Sequence, residues 1–370
     1  MRRETAARTF RYYPLSRLKN RSQMFCRAVL MHPSGIFTEK NMTQHILLFI
    51  LGLILLIKGG DWFVDGAVGI ARRFNVPELL IGATVVSIGT TLPEVMVSAT
   101  SAAEGFGAIA YGNAIGSVIC NTALIAALVA AFRPSDVNRR YLRTPVAFFF
   151  GAALLYVGAA YTKRFSRGIG IALLAIFAAY MILQIRDALI SRVVPTEKEK
   201  EEAKENLDPA WKSVLLLAVG AGLIAWGATL LVDHGIAIAE ALGVPQTVIA
   251  LTFVALGTSL PELVTAVTSI VKGHGSLSVG NVCGANLFNL VLVSGLSITI
   301  GPFRMQPPEF STLTVGGREF LASLVIDTPV MLIVMMLLTL PALATGKLRR
   351  WQGITLLCIY AGFCALQFIM

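Results

Sequence analysis

The chain has 370 residues, 55% of them hydrophobic and only 14% charged, with a formal net charge of +10 and a mean hydropathy of +0.72. Charged residues are far below the rough quarter usual in a soluble domain. This excludes an ordinary soluble fold and makes lipid bilayer the main solvent. The positive charge requires no nucleic-acid partner, because membrane proteins collect Lys and Arg in their loops.

Residues 1–41 hold nine Lys or Arg against Glu4 and Glu39, without the apolar core of a cleavable signal. They read as a disordered basic tail or as sequence upstream of a start at Met42. Ten apolar segments follow, at about 44–73, 77–103, 107–131, 144–161, 168–190, 212–241, 245–271, 276–299, 321–344 and 351–369, each long enough to span a bilayer. The hydrophilic stretch 193–211, too short for a regulatory domain, separates a first half, 42–192, from a second, 212–370. The fold class is therefore an all-α polytopic membrane protein of ten transmembrane helices. Cys120, Cys283, Cys358 and Cys364 sit inside apolar segments, so no disulfide framework is suggested.

The halves are copies. A shift of 168 residues, without a gap, lays Gly89, Thr90, Leu92, Pro93 and Glu94 on Gly257, Thr258, Leu260, Pro261 and Glu262. It also lays Gly112, Asn113, Gly116 and Asn121 on Gly280, Asn281, Gly284 and Asn289, and Asp65 on Asp233; across 59–121, 23 of 63 residues are identical to their partners. Apolar composition alone would not place Pro, Glu and Asn in the same slots, so this is an internal duplication. Five helices per half is an odd number, so the second half enters the membrane from the opposite face: two inverted five-helix repeats, a plan of secondary transporters. Sixteen Lys or Arg lie in the loops after segments one, three, five, seven and nine, against five (Lys163, Arg164, Arg167, Arg304 and Arg318) on the other side. The positive-inside rule puts the richer side in the cytoplasm of a multi-pass protein of the cell membrane. The basic tail opposes that placement, which favours a start near Met42.

Glu94 and Glu262 stand mid-way along apolar segments. A carboxylate at bilayer depth costs several kcal/mol and marks a functional site by default. A buried basic partner would make the pair structural, but no Lys, Arg or His occupies the second, third, seventh or eighth segment at matching depth. The carboxylates must then be protonated or hold a cation from solution. Thr90 and Thr91 share a helix face with Glu94, as Thr258 and Ser259 do with Glu262. Pro93 and Pro261 each deny a hydrogen bond to the carbonyl four residues back, so both helices should kink or unwind beside their glutamates. Hydroxyls, freed carbonyls and carboxylates suit hard cations; hydroxyls bonding back to their own helix is the plainer reading of any single Thr or Ser. In the next helix Asn113, Ser117 and Asn121 share a face, echoed by Asn281, Ala285 and Asn289. The interleaved Gly112/Gly116 and Gly280/Gly284 form small-xxx-small patterns of helix packing. Asp65 and Asp233, near helix ends, suit an interfacial, solvated role at least as well as a coordinating one. No HExxH motif and no nucleophile–base arrangement for an intramembrane enzyme is present.

GTTLPE with GNAIGSVICN, and GTSLPE with GNVCGANLFN, resemble the two α-repeats of the calcium/cation antiporter superfamily, with the prokaryotic sodium/calcium exchangers as the nearest branch; the likeness covers nearly all of 42–370. The resemblance implies that Glu94 and Glu262 meet at the membrane centre and bind Ca²⁺ and Na⁺ in competition as transported ions, with no cofactor and no obligate protein partner. It further implies oxygens from Thr90, Thr258, Thr91 and Ser259, main-chain carbonyls near Ser87 and Ala255, and Asn121, Asn289 and Ser117 lining the centre. It also implies that the first and sixth helices slide past the rest to alternate access. Two departures matter. Ala285 stands where many second repeats have Ser, and Asn289 where some potassium-dependent members have Asp. Na⁺/Ca²⁺ antiport is the leading expectation; an H⁺-coupled or other divalent-cation antiporter is the near alternative, and a cation channel the distant one.

Overall fold

The computed structural model describes residues 39–190, 209–242, 257–307, 310, 312–315 and 318–369. The expectations for residues 1–38, for most of the linker and for Ala255 lie outside them. Gln44–Met370 forms one compact unit, and the site lies within it.

Among the described residues ten helices follow one another: α1 (Glu39–Arg73), α2 (Glu78–Ala103), α3 (Gly107–Phe132), α4 (Arg139–Tyr161), α5 (Arg167–Ile190), α6 (Ala210–Ala241), α7 (Leu260–Val271), α8 (Gly275–Ile300), α9 (Ser323–Thr345) and α10 (Arg350–Ile369). Eight of these, all but α7 and α10, are long and apolar enough among the described residues to cross a membrane. For α7, whose expected first half is undescribed, and for α10, the crossing rests on the sequence. The protein is a multi-pass integral membrane protein.

Helix α4 begins five residues earlier than the apolar pattern suggested. Asn138 caps it by accepting a hydrogen bond from the Arg140 N–H at 3.0 Å, so a first turn rich in arginine precedes the apolar run. Helices α2, α3, α8 and α9 each contain a π-helical turn, at Gly82–Val86, Asn121–Ala126, Asn289–Val293 and Ser323–Asp327. Asn121 and Asn289 are repeat partners, so the duplication extends to this backbone detail. Three of the turns are followed by a hydroxyl that takes a carbonyl five residues back: Ser87 that of Gly82 (2.7 Å), Ser294 that of Asn289 (3.0 Å) and Thr328 that of Ser323 (2.8 Å).

Among the described residues six short strands join the loops: β1 (Ser135–Asp136), β2 (Arg164–Phe165), β3 (Phe303–Arg304), β4 (Thr312–Val315), β5 (Arg318–Leu321) and β6 (Lys347–Leu348). The hairpin β4–β5 was not anticipated. The other pairings reveal the symmetry. β1 pairs with β6 at one face, β2 with β3 at the other, all antiparallel. The shift of 168 carries β1 onto β3, and β6 is the second-half counterpart of β2. One pairing is thus the inverted image of the other, down to single hydrogen bonds: Val137 N–H to the Gly346 carbonyl (2.8 Å) and Met305 N–H to the Lys163 carbonyl (3.0 Å). Loops after α3, α7 and α9 meet on one face, where Arg133 donates to the Ile270 carbonyl (2.7 Å) and Arg350 to that of Ala131 (2.9 Å). Loops after α2, α4 and α8 meet on the other, where Gly107 abuts Phe303 and Gly301 abuts Ala102.

α3 and α8 form the core, with 72% and 78% of their apolar stretches buried, against 22% to 28% for α1, α5 and α6. α1 and α6 press against each other backbone to backbone. A Cβ on Gly59 would stand 2.8 Å from the Ile224 nitrogen, and one on Gly220 would stand 2.5 Å from that of Phe63. Small residues are what allow such approach inside a membrane.

Candidate cation site

The site is built where α2 and α7 meet α3 and α8. Glu94 and Glu262 are completely buried, on helices that pack against each other.

The two motifs fold differently. In the second repeat the backbone turns at Thr258–Ser259, and α7 starts at Leu260 with Pro261 in its first turn, as the sequence suggested. In the first, α2 runs as α-helix from Ser87 through Pro93 to Ala103, so of the expected kink or unwinding beside Glu94, the unwinding does not occur. A proline inside a helix removes one hydrogen bond, and the flanking turns of α2 hold. The irregularity of α2 lies upstream, in the π-turn Gly82–Val86 that precedes Ser87.

Ser259 is the N-cap of α7 and Glu262 its third residue, the S-x-x-E spacing of a capping box. Neither bond of that box is made. The Ser259 hydroxyl and both Glu262 oxygens are buried without a hydrogen-bond partner among the described residues, as are both Glu94 oxygens, the Thr91 and Ser117 hydroxyls, and the side-chain amides of Asn121 and Asn289. An orphaned buried polar atom costs about 1–3 kcal/mol, more when charged, so a cluster of this kind calls for a ligand. No Lys, Arg or His forms an ion pair with either glutamate among the described residues. A hard cation fits the donor set, which is all oxygen.

The other expected residues divide. Ser87 is buried and committed, with its hydroxyl 2.7 Å from the Gly82 carbonyl and 3.0 Å from that of Asn281. Thr90 donates to Asn281 Oδ1 at 3.3 Å. Thr258 is half-buried in its turn. Asn113 fastens α3 to α2, its amide donating to Ser98 Oγ (2.9 Å) and to the Glu94 main-chain carbonyl (3.2 Å). Gly280 and Gly284 pack directly on Leu79, Ala83 and Ser87 of α2. Gly112 and Gly116 meet nothing within 4 Å among the described residues; their expected partners, residues 247–251, are undescribed.

Sequence reasoning missed Ser98, whose repeat partner is Ala266, and Tyr180 of α5. The Tyr180 hydroxyl takes the carbonyl of Ala83 in the π-turn at 3.0 Å and is itself held by Gln184 at 2.9 Å. It also missed Asn286, which donates to Thr122 at 2.7 Å. Asn286 was readable as a polar residue in an apolar helix.

Comparison with known proteins decides the family. Residues 44–186 and 212–369 match the family described as sodium/calcium exchanger protein. The chain belongs to the sodium/calcium exchanger family. It is 33% identical to the putative antiporter CaxA of Alkalimonas amylolytica, over 86% of this chain and 97% of that one. It is 30% identical to the sodium/calcium exchanger MaX1 of Methanosarcina acetivorans, over 88% and 99%. The structure of the sodium-calcium exchanger NCX_Mj soaked with 10 mM Na⁺ and zero Ca²⁺ superposes with a TM-score of 0.71 at 32% identity, over 88% of this chain and 99% of that one. As a member of this family the chain is a cation-exchanging membrane transporter and not an enzyme.

Proposed function

We propose that this exchanger carries Ca²⁺ in one direction and Na⁺ in the other through a site shared by Glu94 and Glu262. The observation that supports the reading is the orphaned oxygen cluster: four carboxylate oxygens and their hydroxyl and amide neighbours, all buried, with no cationic side chain paired to them among the described residues. Two carboxylates balance one Ca²⁺ or are held by several Na⁺. Full occupancy by both is excluded by like charge at ~4 Å in a poorly screened interior. The empty, doubly charged site resists crossing a dry barrier, which couples the two fluxes. Ser259, Thr91, Ser117, Asn121 and Asn289 supply neutral oxygens. Thr90 and Ser87 shape the site through Asn281. The close backbone contact of α1 with α6, and their small burial against the rest, support the two helices moving as one body to expose the site to alternate sides.

The test is radiolabelled Ca²⁺ uptake into vesicles carrying the purified protein, loaded with Na⁺ and diluted into Na⁺-free buffer, against K⁺-loaded controls. Uptake only with internal Na⁺ supports the reading. Equal uptake in both means a channel, and uptake driven only by a pH gradient means H⁺ coupling.

A further inference from the structure

The inverted symmetry brings equivalent residues to the two strand pairings, and at one position their charges differ. In β1–β6, Asp136 stands directly across from Lys347, and the two form an ion pair at 3.6 Å. The symmetry-equivalent position in β2–β3 sets Arg164 across from Arg304. The Met305 N–H to Lys163 carbonyl bond, one step along that ladder, makes Arg164 and Arg304 the narrow, non-hydrogen-bonded pair, with Cα atoms about 4.5 Å apart and both side chains on one face. Like charges directly opposite each other destabilise a strand pair. Among the described residues neither guanidinium has a carboxylate or any other hydrogen-bond partner.

The pair is nonetheless kept in a built setting. A cavity of about 430 Å³ opens over it, lined by Arg164, Arg304, Ser166, Gln306, Phe165 and Phe303. Its floor is rigid: the Phe165 and Phe303 rings stack at 4.8 Å and 18°, and Phe165 is buried. The cavity lies where the segments after α2, α4 and α8 meet, at the level of the helix ends, where a bilayer carries its headgroups.

The geometry points to an anion site here: Arg164 and Arg304 clamp a phosphate group between the strands, with the Ser166 hydroxyl and the Gln306 amide as neutral donors. Two guanidinium forks offer the planar, bidentate recognition that phosphate oxygens favour, and the bound anion replaces the counter-charge that Asp136 supplies on the other face. The phosphate comes either from an anionic phospholipid headgroup or from free phosphate.

Thermal unfolding of the full chain in neutral detergent distinguishes the sources. Dioleoyl phosphatidylglycerol is titrated in one arm, and potassium phosphate against potassium chloride at matched ionic strength in the other. A rise in midpoint with the lipid alone assigns a lipid headgroup; a rise with inorganic phosphate, with or without the lipid, assigns free phosphate. Either rise should weaken at least about tenfold in apparent affinity in Arg304→Asp, as expected for loss of a charge-assisted hydrogen-bonding partner. That variant rebuilds on this face the acid–base pairing of the other. Arg164→Gln is the second variant, for which folding demands no new contact, and it should weaken the effect in the same way. No midpoint rise with either probe, or the same rise in both folded variants as in the unmodified chain, overturns the assignment.

Discussion

Replacing Glu94 with glutamine keeps the size of the side chain and removes one of the two buried charges. A Ca²⁺ and a carboxylate about 4 Å apart, at an effective dielectric of ~20, attract by about 8 kcal/mol. The amide oxygen of glutamine retains part of that as a dipole. Taking half as lost gives ~4 kcal/mol, or about a 10³-fold fall in Ca²⁺ affinity. The same change relieves the repulsion between Glu94 and Glu262 in the cation-free protein, and it breaks no hydrogen bond, because both Glu94 oxygens are unpartnered among the described residues. The Asn113 contact is to the Glu94 main chain and survives. Glu94→Gln should therefore unfold, without divalent cation, at the same temperature as the unmodified protein or higher, while calorimetric Ca²⁺ titration shows the 10³-fold loss. A folded variant that binds Ca²⁺ within tenfold of the unmodified protein would refute the reasoning, because the carboxylate would then not be a ligand.

Ser259→Ala separates a ligand from a cap. A working N-cap costs about 1 kcal/mol to remove, but the Ser259 side chain makes no cap bond, so thermal stability should hold while Ca²⁺ affinity falls several-fold; a lower midpoint with unchanged affinity would reverse the roles. Asn281→Ala cuts the tie from α8 to Thr90 on α2 and should cost about 1–2 kcal/mol of stability, read as a lower unfolding temperature. Gly220→Ala drives a methyl group against the Phe63 backbone of α1. Overpacking of this kind costs about 1–3 kcal/mol, so detergent unfolding should occur at a lower temperature, and Na⁺-driven Ca²⁺ uptake in vesicles should slow.

Much of this architecture is written in residues whose chemistry is out of place in lipid. Glu94, Glu262, Asn121 and Asn289 are conspicuous because buried polar groups are expensive, and the 168-residue shift converts that conspicuousness into geometry. Asp65 is legible in the same way: placed near a helix end by the sequence, it is exposed there and meets Lys272 at 2.8 Å. What depends on backbone detail was not legible. A π-turn inserts one residue without changing apolar periodicity enough to be seen, although the hydroxyls at Ser87, Ser294 and Thr328 that follow three of them are a usable signal. The unequal fates of Pro93 and Pro261 could not be read from two nearly identical motifs, because the missing hydrogen bond is the same in both. The start of α4 was missed because arginines are poor signals of a helix in an apolar scan, whereas Asn138 was a cap in plain view. The strand pairings β1–β6 and β2–β3 join residues far apart in sequence through two-residue contacts, too short for any alternation to announce them.

The central claim is that one divalent cation sits between Glu94 and Glu262. Crystals of the protein soaked in Sr²⁺, with diffraction collected for its anomalous signal, test that claim most directly. The account predicts one strong peak with carboxylate oxygens from both glutamates as ligands, at distances slightly beyond the about 2.3–2.6 Å of Ca²⁺ coordination because Sr²⁺ is the larger ion, and the Ser259 or Thr91 hydroxyl beside it. A peak held by other residues, or no peak between the glutamates in crystals of protein that binds Sr²⁺ in solution, would contradict it.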